Sequence, residues 1–349
     1  MIDTVALLLA DRSPALRYRA LIEVDGARPD DAEVTALRDE VANSPEVSRA
    51  LTLPEPTARG LSYALCRLAY LGLGWGHAAV DDLAGKLFAM QRPDGSWPSQ
   101  AWSGRANEAP SRTRASRTRA SRTQSARPSQ EGYQWRPLQT ALPLRGLAAA
   151  GFATDPRAER AYAWLLAHRF DDGSWPYGQA AGQKPGAVVG YRRLPRSEGC
   201  RATTTGALAC FAHHPERRTS DEARAALDLI LQRETREEAT LGHEVARLLG
   251  VERVLGFATF YAKFDLAFLL DLATRIGVSA DDVRVADLVA FLEAKRGPYG
   301  LWDHPVHPHL TRWLTLDLLA SLRRLESGDW AGRDLRSSFR AYPKRRRRH

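Results

Sequence analysis

The sequence predicts an all-α fold built from repeated helix hairpins. Three segments, beginning at His77, Asp155 and Ala280, share apolar residues at helical spacing followed by a polar turn that contains Gly-x-Trp. Alternating runs of Val, Ile, Thr and aromatic residues, which are typical of strands, are almost absent. The Gly-x-Trp pairs are Gly95 with Trp97, Gly173 with Trp175, and Gly300 with Trp302.

The residue types suit such a turn. Glycine at a helix exit accepts the left-handed backbone that other residues resist, and the Trp ring is expected to cover the neighbouring helix pair. In the first copy, Gln91 is expected to hydrogen-bond backbone groups at an adjacent helix end. A fourth segment, which begins at Ser220, has the same helix without Gly and Trp and is interpreted as a decayed copy.

Partner helices are predicted between the copies, because the intervening segments also carry apolar residues at i, i+3 and i+4. These segments are GLSYALCRLAYLGL, LQTALPLRGLAAAG, TTTGALACFAHH, FDLAFLLDLATRIG and LTRWLTLDLLASLRRL. Every repeat is therefore a hairpin rather than a single helix.

The chain divides into a repeat domain and three further segments. Residues 1–55 are predicted to form an N-terminal helical cap, in which Ser13 and Pro14 start a helix as its cap and first helical residue. Residues 56–325 form the repeat domain. It is interrupted by an Arg- and Ser-rich stretch, 103–134, which is predicted to be disordered, and it is followed by a basic tail, 326–349.

The net charge of +9 is concentrated in two of these segments. Residues 103–134 contribute +5 and residues 333–349 contribute +7, so the remaining residues sum to −3. Aromatic residues do not alternate with either basic run as stacking modules require, so no specific nucleic-acid partner is predicted. The basic tail is expected to make weak contact with a membrane surface.

The sequence also indicates the cellular compartment. No apolar run approaches the roughly 18 residues that a membrane-spanning helix needs, and a cytoplasmic location is predicted. The three cysteines, Cys66, Cys200 and Cys210, have spacings that suggest neither a disulfide framework nor a cysteine-rich zinc site.

The element QRPDGSW, which begins at Gln91, fits the pattern Gln-x-x-x-Gly-x-Trp found in triterpene cyclases. Over residues 56–325 the chain resembles the squalene-hopene cyclase and prenyltransferase-repeat superfamily of terpenoid cyclases, as a short, divergent bacterial member. The resemblance implies an α/α toroid, here a partial α/α barrel of about five hairpins. It also implies inner helices around an apolar cavity that holds an isoprenoid or another apolar small molecule.

The family's acid motif does not carry over to this chain. Cyclases that start by protonation use an Asp-x-Asp-Asp motif, and the matching stretch here, EGCRATTTGALACF, has Arg201, Thr203 and Thr204 at those positions. Neither Thr nor Arg can protonate an alkene. Thr203 and Thr204 are therefore expected to line the ligand pocket, and an acid is sought elsewhere.

Asp265 is the candidate for that acid. It follows Phe260, Tyr261 and Phe264 at the start of a predicted inner helix, and aromatic faces in a ligand pocket could stabilise a carbocation. The alternative interpretation is a helix-capping Asp beside core aromatic residues.

A zinc site is a further alternative to the prediction that the chain needs no cofactor. Glu198, Cys200 and His309 resemble the Asp, Cys and His that bind zinc in protein prenyltransferases, and these residue types are suitable zinc ligands. The position that aligns with the ligand His is nearer Thr311.

Two other groups of residues each have two possible roles. His304, His307 and His309 in DHPVHPHL could suit a metal or could form a solvated loop. Arg17, Arg19, Arg192, Arg193 and Arg196 could bind a diphosphate or could lie at the surface.

Three functions follow from the resemblance and the residues. The first is a terpene-cyclase-like or prenyltransferase-like protein that binds or transforms an isoprenoid or other long apolar ligand. The second is a non-catalytic lipid-binding or scaffold protein, and the third is a zinc-dependent prenyltransferase-like enzyme. A hollow cavity with a buried carboxyl favours catalysis, whereas a cavity lined only by apolar groups and filled by side chains favours the binder.

Overall fold

The computed structural model describes residues 3–52, 56–97, 136–177, 194, 197–232, 240–252 and 265–332. These residues form fourteen α-helices and no strand, which confirms the all-α prediction. None of these helices is long and apolar enough to cross a membrane. The insertion 103–134 and the basic tail beyond Gly332 lie outside the described residues.

The helices are α1 (Thr4–Leu9), α2 (Pro14–Arg19), α3 (Ala32–Ala42), α4 (Pro45–Leu51), α5 (Ala58–Tyr70), α6 (Ala78–Ala89), α7 (Pro137–Leu147), α8 (Pro156–Ala167), α9 (Arg201–Ala212), α10 (Asp221–Leu231), α11 (His243–Leu248), α12 (Leu266–Ile276), α13 (Val283–Glu293) and α14 (Thr311–Leu325). Single π-helical turns extend α2 over Ala20–Asp25 and α7 over Ala148–Phe152.

Helices of the partner segments form an inner layer. Helix α5 packs on α7, α7 on α9, α9 on α12, and α12 on α14. The helices that precede the turns, α6, α8 and α13, form an outer layer together with α10, because each of the four packs on the inner helix of its own hairpin. This is the two-layered arrangement of an α/α toroid.

The three Gly-x-Trp turns share one hydrogen-bond geometry, and all three Trp side chains are buried. Each indole Nε1 donates to a carbonyl ten residues earlier in the outer helix: Trp97 to Leu87 at 2.8 Å, Trp175 to Leu165 at 2.8 Å, and Trp302 to Leu292 at 2.7 Å. Each Trp backbone N–H donates to a threonine hydroxyl on the next inner helix: Thr140 at 3.3 Å, Thr204 at 3.1 Å and Thr315 at 3.0 Å. The turn therefore ties an outer helix to the inner helix that follows it.

The first turn has one additional link. Gln91 Nε2 donates to the carbonyl of Gly95 within the turn and to the carbonyl of Arg157 in the first turn of α8, both at 2.9 Å. This side chain connects neighbouring hairpins in the way the sequence suggests.

The turn glycines have positive φ and allow close approach of the next outer helix. A Cβ on Gly95 would lie 2.4 Å from the carbonyl oxygen of Arg160 in α8. A Cβ on Gly300 would lie 2.3 Å from Thr4 Oγ1 in α1. Helix α1 therefore lies beside the last turn as α8 lies beside the first, and it takes the place of the next outer helix.

The N-terminal segment also supplies an inner element. The π-helical turn that extends α2 packs on α14, and the Arg19 guanidinium lies 4.4 Å from the centre of the Tyr70 ring in α5. Tyr70 in turn packs on Trp313 of α14, with ring centres 5.5 Å apart. Residues 1–55, predicted as a cap, thus connect the last inner helix to the first and close the ring.

Helix α11 lies against the inner layer near α5. Arg67 Nε donates to the carbonyl of Leu248 at 3.1 Å, and Tyr63 Oη donates to the carbonyl of Arg247. Arg145 of α7 forms an ion pair of 2.7 Å with Glu244. These contacts hold α11 to two inner helices.

Substitutions at two adjacent threonines can test the hydrogen bond between the Trp and the threonine of the turn. Substituting Thr204→Val leaves the buried Trp175 N–H without its acceptor, and we expect the free energy of unfolding to fall by about 1–3 kcal/mol. Thr203→Val is the matched control, because Thr203 is also buried but its hydroxyl has no hydrogen-bond partner in the described part of the chain. We expect that variant to differ from wild type by less than about 0.5 kcal/mol or to be more stable. Urea denaturation measures both, and equal losses in the two variants would contradict the proposed role of the threonine.

Candidate functional site

A cavity of about 340 Å³ lies at the centre of the ring. Residues from α2, α5, α7, α11, α12 and α14 line it. No single hairpin could form this cavity, so it depends on closure of the ring.

One part of the lining is a row of alternating acidic and basic side chains linked by hydrogen bonds. Tyr70 lies at one end of this row. The Tyr70 hydroxyl donates to Asp317 Oδ2 at 2.9 Å, and Arg19 Nη2 donates to Asp317 Oδ1 at 2.9 Å. Arg19 also pairs with Glu23, with 2.6 Å between Nε and Oε1. These contacts join α5, α14 and α2 with its π-helical extension.

The row continues across α14 to α12. Arg324 Nη1 lies 3.7 Å from Glu23 Oε2, and Arg324 Nη2 donates to Asp271 Oδ1 at 2.6 Å. Arg275 Nε donates to both oxygens of Asp271 at 2.9 and 3.0 Å. We call the residues Tyr70, Asp317, Arg19, Glu23, Arg324, Asp271 and Arg275 the ionic ladder.

The rest of the lining combines apolar and polar side chains. The apolar ones are Ala69, Ala149, Val245, Leu248, Ala267 and Phe268, together with the Cys66 thiol, and the polar ones are Arg145, His213 and Glu244. On α12, Ala267 and Phe268 precede Asp271 and Arg275 by about one to two turns, so the apolar and charged parts lie at different heights along this helix. The cavity thus differs from the apolar cavity that the resemblance implies, because the inner helices carry mutually paired Arg and carboxylate side chains, and the Arg145–Glu244 ion pair lies beside the apolar residues.

The ladder shifts the pKa values of two of its carboxyl groups in opposite directions. Burial raises the pKa of Asp317 to about 6, although Arg19 acts in the opposite direction. Burial also favours the neutral form of Asp271, but Arg275 and Arg324 outweigh it and hold the pKa of that carboxyl well below its usual range. Two carboxyl groups whose pKa values are pushed apart are a common arrangement for acid–base chemistry.

Burial also raises the pKa of Tyr70 well above its ordinary value, with a further contribution from Asp317. The phenol therefore stays protonated and serves as a hydrogen-bond donor to Asp317. At the cavity edge, burial and then Arg275 lower the pKa of His213 strongly, so this imidazole is neutral.

Asp265 lies elsewhere, at the start of two helices. Its Oδ1 accepts hydrogen bonds from the amides of Gly242 and Ala267, both at 3.1 Å, and its Oδ2 accepts from Glu244 N at 2.7 Å. The side chain is buried and is not among the residues that line the central cavity. The geometry matches the alternative interpretation of this residue, a helix cap that also joins α11 to α12.

Thr203 and Thr204, also predicted to line a pocket, lie beside the second turn. Thr204 accepts the Trp175 N–H there, and the Thr203 hydroxyl is buried without a hydrogen-bond partner among the described residues. Neither lines the central cavity, because this part of α9 faces the turn and the core. Phe260, Tyr261 and Phe264 lie outside the described residues.

The alternative zinc ligands are placed on separate structural features. Cys200 is buried at the N-terminus of α9, where its backbone N donates to the carbonyl of Trp175 at 2.8 Å. His309 lies in the short 3-10 turn before α14, and Glu198 precedes Cys200 in a bend. Across the part of the chain that the structure describes, no three His, Cys, Asp or Glu side chains form a group that could hold a metal ion.

The histidine loop is only partly solvated. His304 is buried, its Nε2 lies 2.9 Å from the carbonyl of Gly242, and its Nδ1 accepts from His307 N at 3.0 Å. It therefore links the loop before α14 to the turn that Asp265 caps, which is a structural role that a solvated loop would not have.

A second cavity, of about 560 Å³, lies beside the outer helix α13. Leu241, Phe291, Lys295 and His304 are among its lining residues. Of the inner helices, only α12 contributes to its lining, through its first residue Leu266, and Glu252 there pairs with His243 at 2.6 Å. The central cavity is therefore the better candidate site.

Sequence reasoning missed most of the ladder. Asp317 and Asp271 each stand alone among apolar residues of an inner helix, in LTLDLLA and FLLDLAT. An isolated carboxylate on an otherwise apolar helix face could have signalled a buried polar site, since such groups are rarely buried unless paired. Only Arg19 was considered as a ligand-binding residue from the sequence.

Comparisons with known proteins give little further information. No family model matches the chain, and no curated protein matches it. Among the solved structures that it matches is a variant of the type II terpene cyclase MstE from Scytonema in complex with its substrate, geranylgeranyl dihydroxybenzoate. The two are 12% identical over 83% of this chain and 98% of that chain, with a TM-score of 0.28, which is too low to carry an argument.

The capping role of Asp265 can be tested by measuring the stability of a variant. Substituting Asp265→Asn replaces one acceptor oxygen by an amide that cannot accept the helix N–H groups, and we expect the free energy of unfolding to fall by about 1–3 kcal/mol. Asp281→Asn is the control, because Asp281 is exposed in the loop before α13. Chemical denaturation checks the pair. If the Asp265 variant were as stable as the control, the capping role would be wrong.

Proposed function

We propose that the chain is a terpenoid-processing protein that binds a small amphipathic ligand in its central cavity, with Asp317 as the proton donor. The ligand class is a short isoprenoid or a comparable apolar chain with a polar head. The observation that carries the proposal is a half-buried carboxyl with a raised pKa in the lining of the central cavity, beside the Tyr70 hydroxyl and Arg19.

The volume of the cavity favours a short ligand. Ligand pockets typically enclose about 300–1,000 Å³, and the central cavity lies at the lower end of that range, at about 340 Å³. A ten- or fifteen-carbon chain is therefore a better candidate than the thirty-carbon chain of a triterpene. Ala69, Val245 and Phe268 would contact the apolar part of the ligand.

The arrangement around Asp317 suits proton transfer. In its neutral form the carboxyl can protonate a double bond of the ligand, and the carboxylate that remains is stabilised by Arg19 Nη2 and the Tyr70 hydroxyl. The Phe268 and Tyr70 rings line the same cavity, and aromatic faces stabilise a developing cation. These groups supply an acid, a stabilised conjugate base and an aromatic wall without a metal.

A non-catalytic binder is the second candidate, and one observation favours it. Every carboxylate of the ladder is already paired with an arginine of the protein, so the ladder could serve only to hold the ring together. In that case the cavity binds an apolar ligand without changing it.

Asp317→Asn separates these two functions. If Asp317 is the donor, wild-type turnover of geraniol or farnesol should fall as the pH rises through about 6, because the protonated carboxyl is lost over that range. We expect the Asn variant to lose turnover by about 100-fold or more while it still binds the alcohol. Product formation is measured by mass spectrometry and binding by calorimetry.

The control is Asp11→Asn, which removes a carboxylate that pairs with Arg312 away from the cavity. Unchanged turnover in the Asp317 variant would show that this residue is not the donor. Binding without turnover by the wild type would favour the non-catalytic binder. If neither alcohol bound, the proposed function would be wrong.

A further inference from the structure

Helix α11 has only six residues, and it forms one wall of the central cavity through residues that include Glu244 and Val245. A helix this short has little stability of its own, so its position depends on the contacts at its two ends. At the C-terminal end, Arg67 and Tyr63 of α5 donate to its last two carbonyls. The contacts at the other end therefore decide whether this wall stays in place.

The N-terminal end of α11 is held by two side chains that meet at Gly242. Asp265 Oδ1 accepts the Gly242 amide at 3.1 Å, and His304 Nε2 lies 2.9 Å from the Gly242 carbonyl. The fit is close, since a Cβ on Gly242 would lie 2.7 Å from His304 Cδ2. His304 is only 4% exposed, so the contact that joins α11 to the loop before α14 is a buried one.

The hydrogen bonds of His304 fix its protonation state. Its Nδ1 accepts from the amides of Val306 at 3.3 Å and His307 at 3.0 Å. A ring nitrogen that accepts from N–H donors carries no proton, so the proton lies on Nε2 and is donated to the Gly242 carbonyl. A second proton would have to enter at Nδ1, opposite two N–H groups, and would break both bonds. The contact therefore requires a neutral imidazole.

The surroundings of His304 also favour the neutral ring. Burial lowers the pKa of His304, and His307 acts in the same direction. The Gly242 carbonyl and the carboxylates of Asp265 and Glu252 act in the opposite direction but do not outweigh burial. Other titratable groups line the second cavity together with His304, namely His243, Lys295 and Asp303. Since the folded protein takes up this proton at a lower pH than the unfolded chain does, acidification favours states in which His304 is released.

A second His-Pro turn shows why His304 is the more sensitive of the two. His214 Nδ1 also accepts the amides two and three residues further on, at 3.1 and 3.0 Å. Its Nε2, however, lies 2.8 Å from the Glu159 carboxylate. A charged ring gains an ion pair with a carboxylate, whereas the carbonyl opposite His304 offers only a hydrogen bond. Acid is therefore expected to weaken the His304 contact more than the His214 contact.

From these contacts we infer that His304 is an acid-sensitive latch, whose protonation releases the N-terminal end of α11 and opens that side of the central cavity. The latch consists of His304 and its hydrogen bonds to Gly242, Val306 and His307. These residues are not among those that line the central cavity, and none of them belongs to the ladder. The inference thus goes beyond the proposed function, because it adds control of access to the cavity by pH and depends neither on the ligand nor on Asp317.

The neighbouring titrations have the opposite sign. Burial raises the pKa of Asp265 to about 6, so uptake of a proton by this carboxyl favours the folded arrangement as the pH falls. His243 Nδ1 lies 2.6 Å from Glu252 Oε2, and a charged ring strengthens that pair. Loss of α11 contacts in acid therefore identifies His304 rather than these groups.

Hydrogen exchange tests the latch in the intact protein. Three amides report on α11, because Ala246, Leu249 and Val251 donate within the helix and the turn that follows it. Their protection factors, corrected for the intrinsic effect of pH on exchange, should fall about 10-fold or more between about pH 7.5 and about pH 5, while those of α7 stay unchanged. The rate at which dithiodipyridine labels Cys66, relative to a free thiol, should rise over the same range, because Cys66 lines the central cavity.

Two variants remove the titration and keep part of the latch. In His304→Gln the amide can still donate to the Gly242 carbonyl, and in His304→Asn the side-chain carbonyl can accept amides of the loop in place of Nδ1. We expect α11 protection in both variants to be the same within about twofold at the two pH values. His309→Gln is the matched control, because His309 is an exposed histidine close to the same loop, and it should behave as wild type.

The tautomer of His304 provides a check that needs no variant. Nitrogen-15 NMR of wild type at about pH 7.5 should show its proton on Nε2, and a proton on Nδ1 would overturn the latch. Equal α11 protection at the two pH values in wild type would overturn it as well. If both His304 variants lost protection in acid as wild type does, another group would be responsible and the inference would be wrong.

Discussion

The ion pair between Arg19 and Asp317 joins the two ends of the described chain, since 298 residues separate its partners. It places α2 between α14 and α5, where the next inner helix of the ring would stand. The Arg19 guanidinium also covers the Tyr70 ring, so one side chain contacts both neighbours. The central cavity exists because this contact closes the ring, and the candidate acid lies in the contact itself.

Placing so many charges inside a helical ring is costly. Removing an ion from water is compensated only when its partners and hydrogen bonds are well arranged, and apolar replacements of similar size are often as stable. The ladder meets this requirement for its carboxylates, because each of them is paired with at least one arginine.

The sequence predicted the local structure well and the site poorly. Gly-x-Trp turns with helical periodicity identify the hairpins, because each turn depends on contacts within about twenty residues or with the next helix. The ladder depends instead on which face of each inner helix points to the axis and on the meeting of residues 19 and 317, and neither is encoded in local spacing. Asp265 looked catalytic because it follows aromatic residues, but its backbone partners come from a separate helix, α11. The sequence offered capping as the alternative role, but not the link to α11, which only the fold shows.

The most direct test of ring closure is a double-mutant cycle on Arg19 and Asp317, using Arg19→Met, Asp317→Asn and the double variant. Urea denaturation at pH 7 gives the coupling free energy between the two sites. If the pair closes the ring as described, the coupling should be about 1–3 kcal/mol in favour of the intact pair. A coupling of about zero, with additive losses, would contradict the account, because the N-terminal helix would then be held to the ring by other contacts.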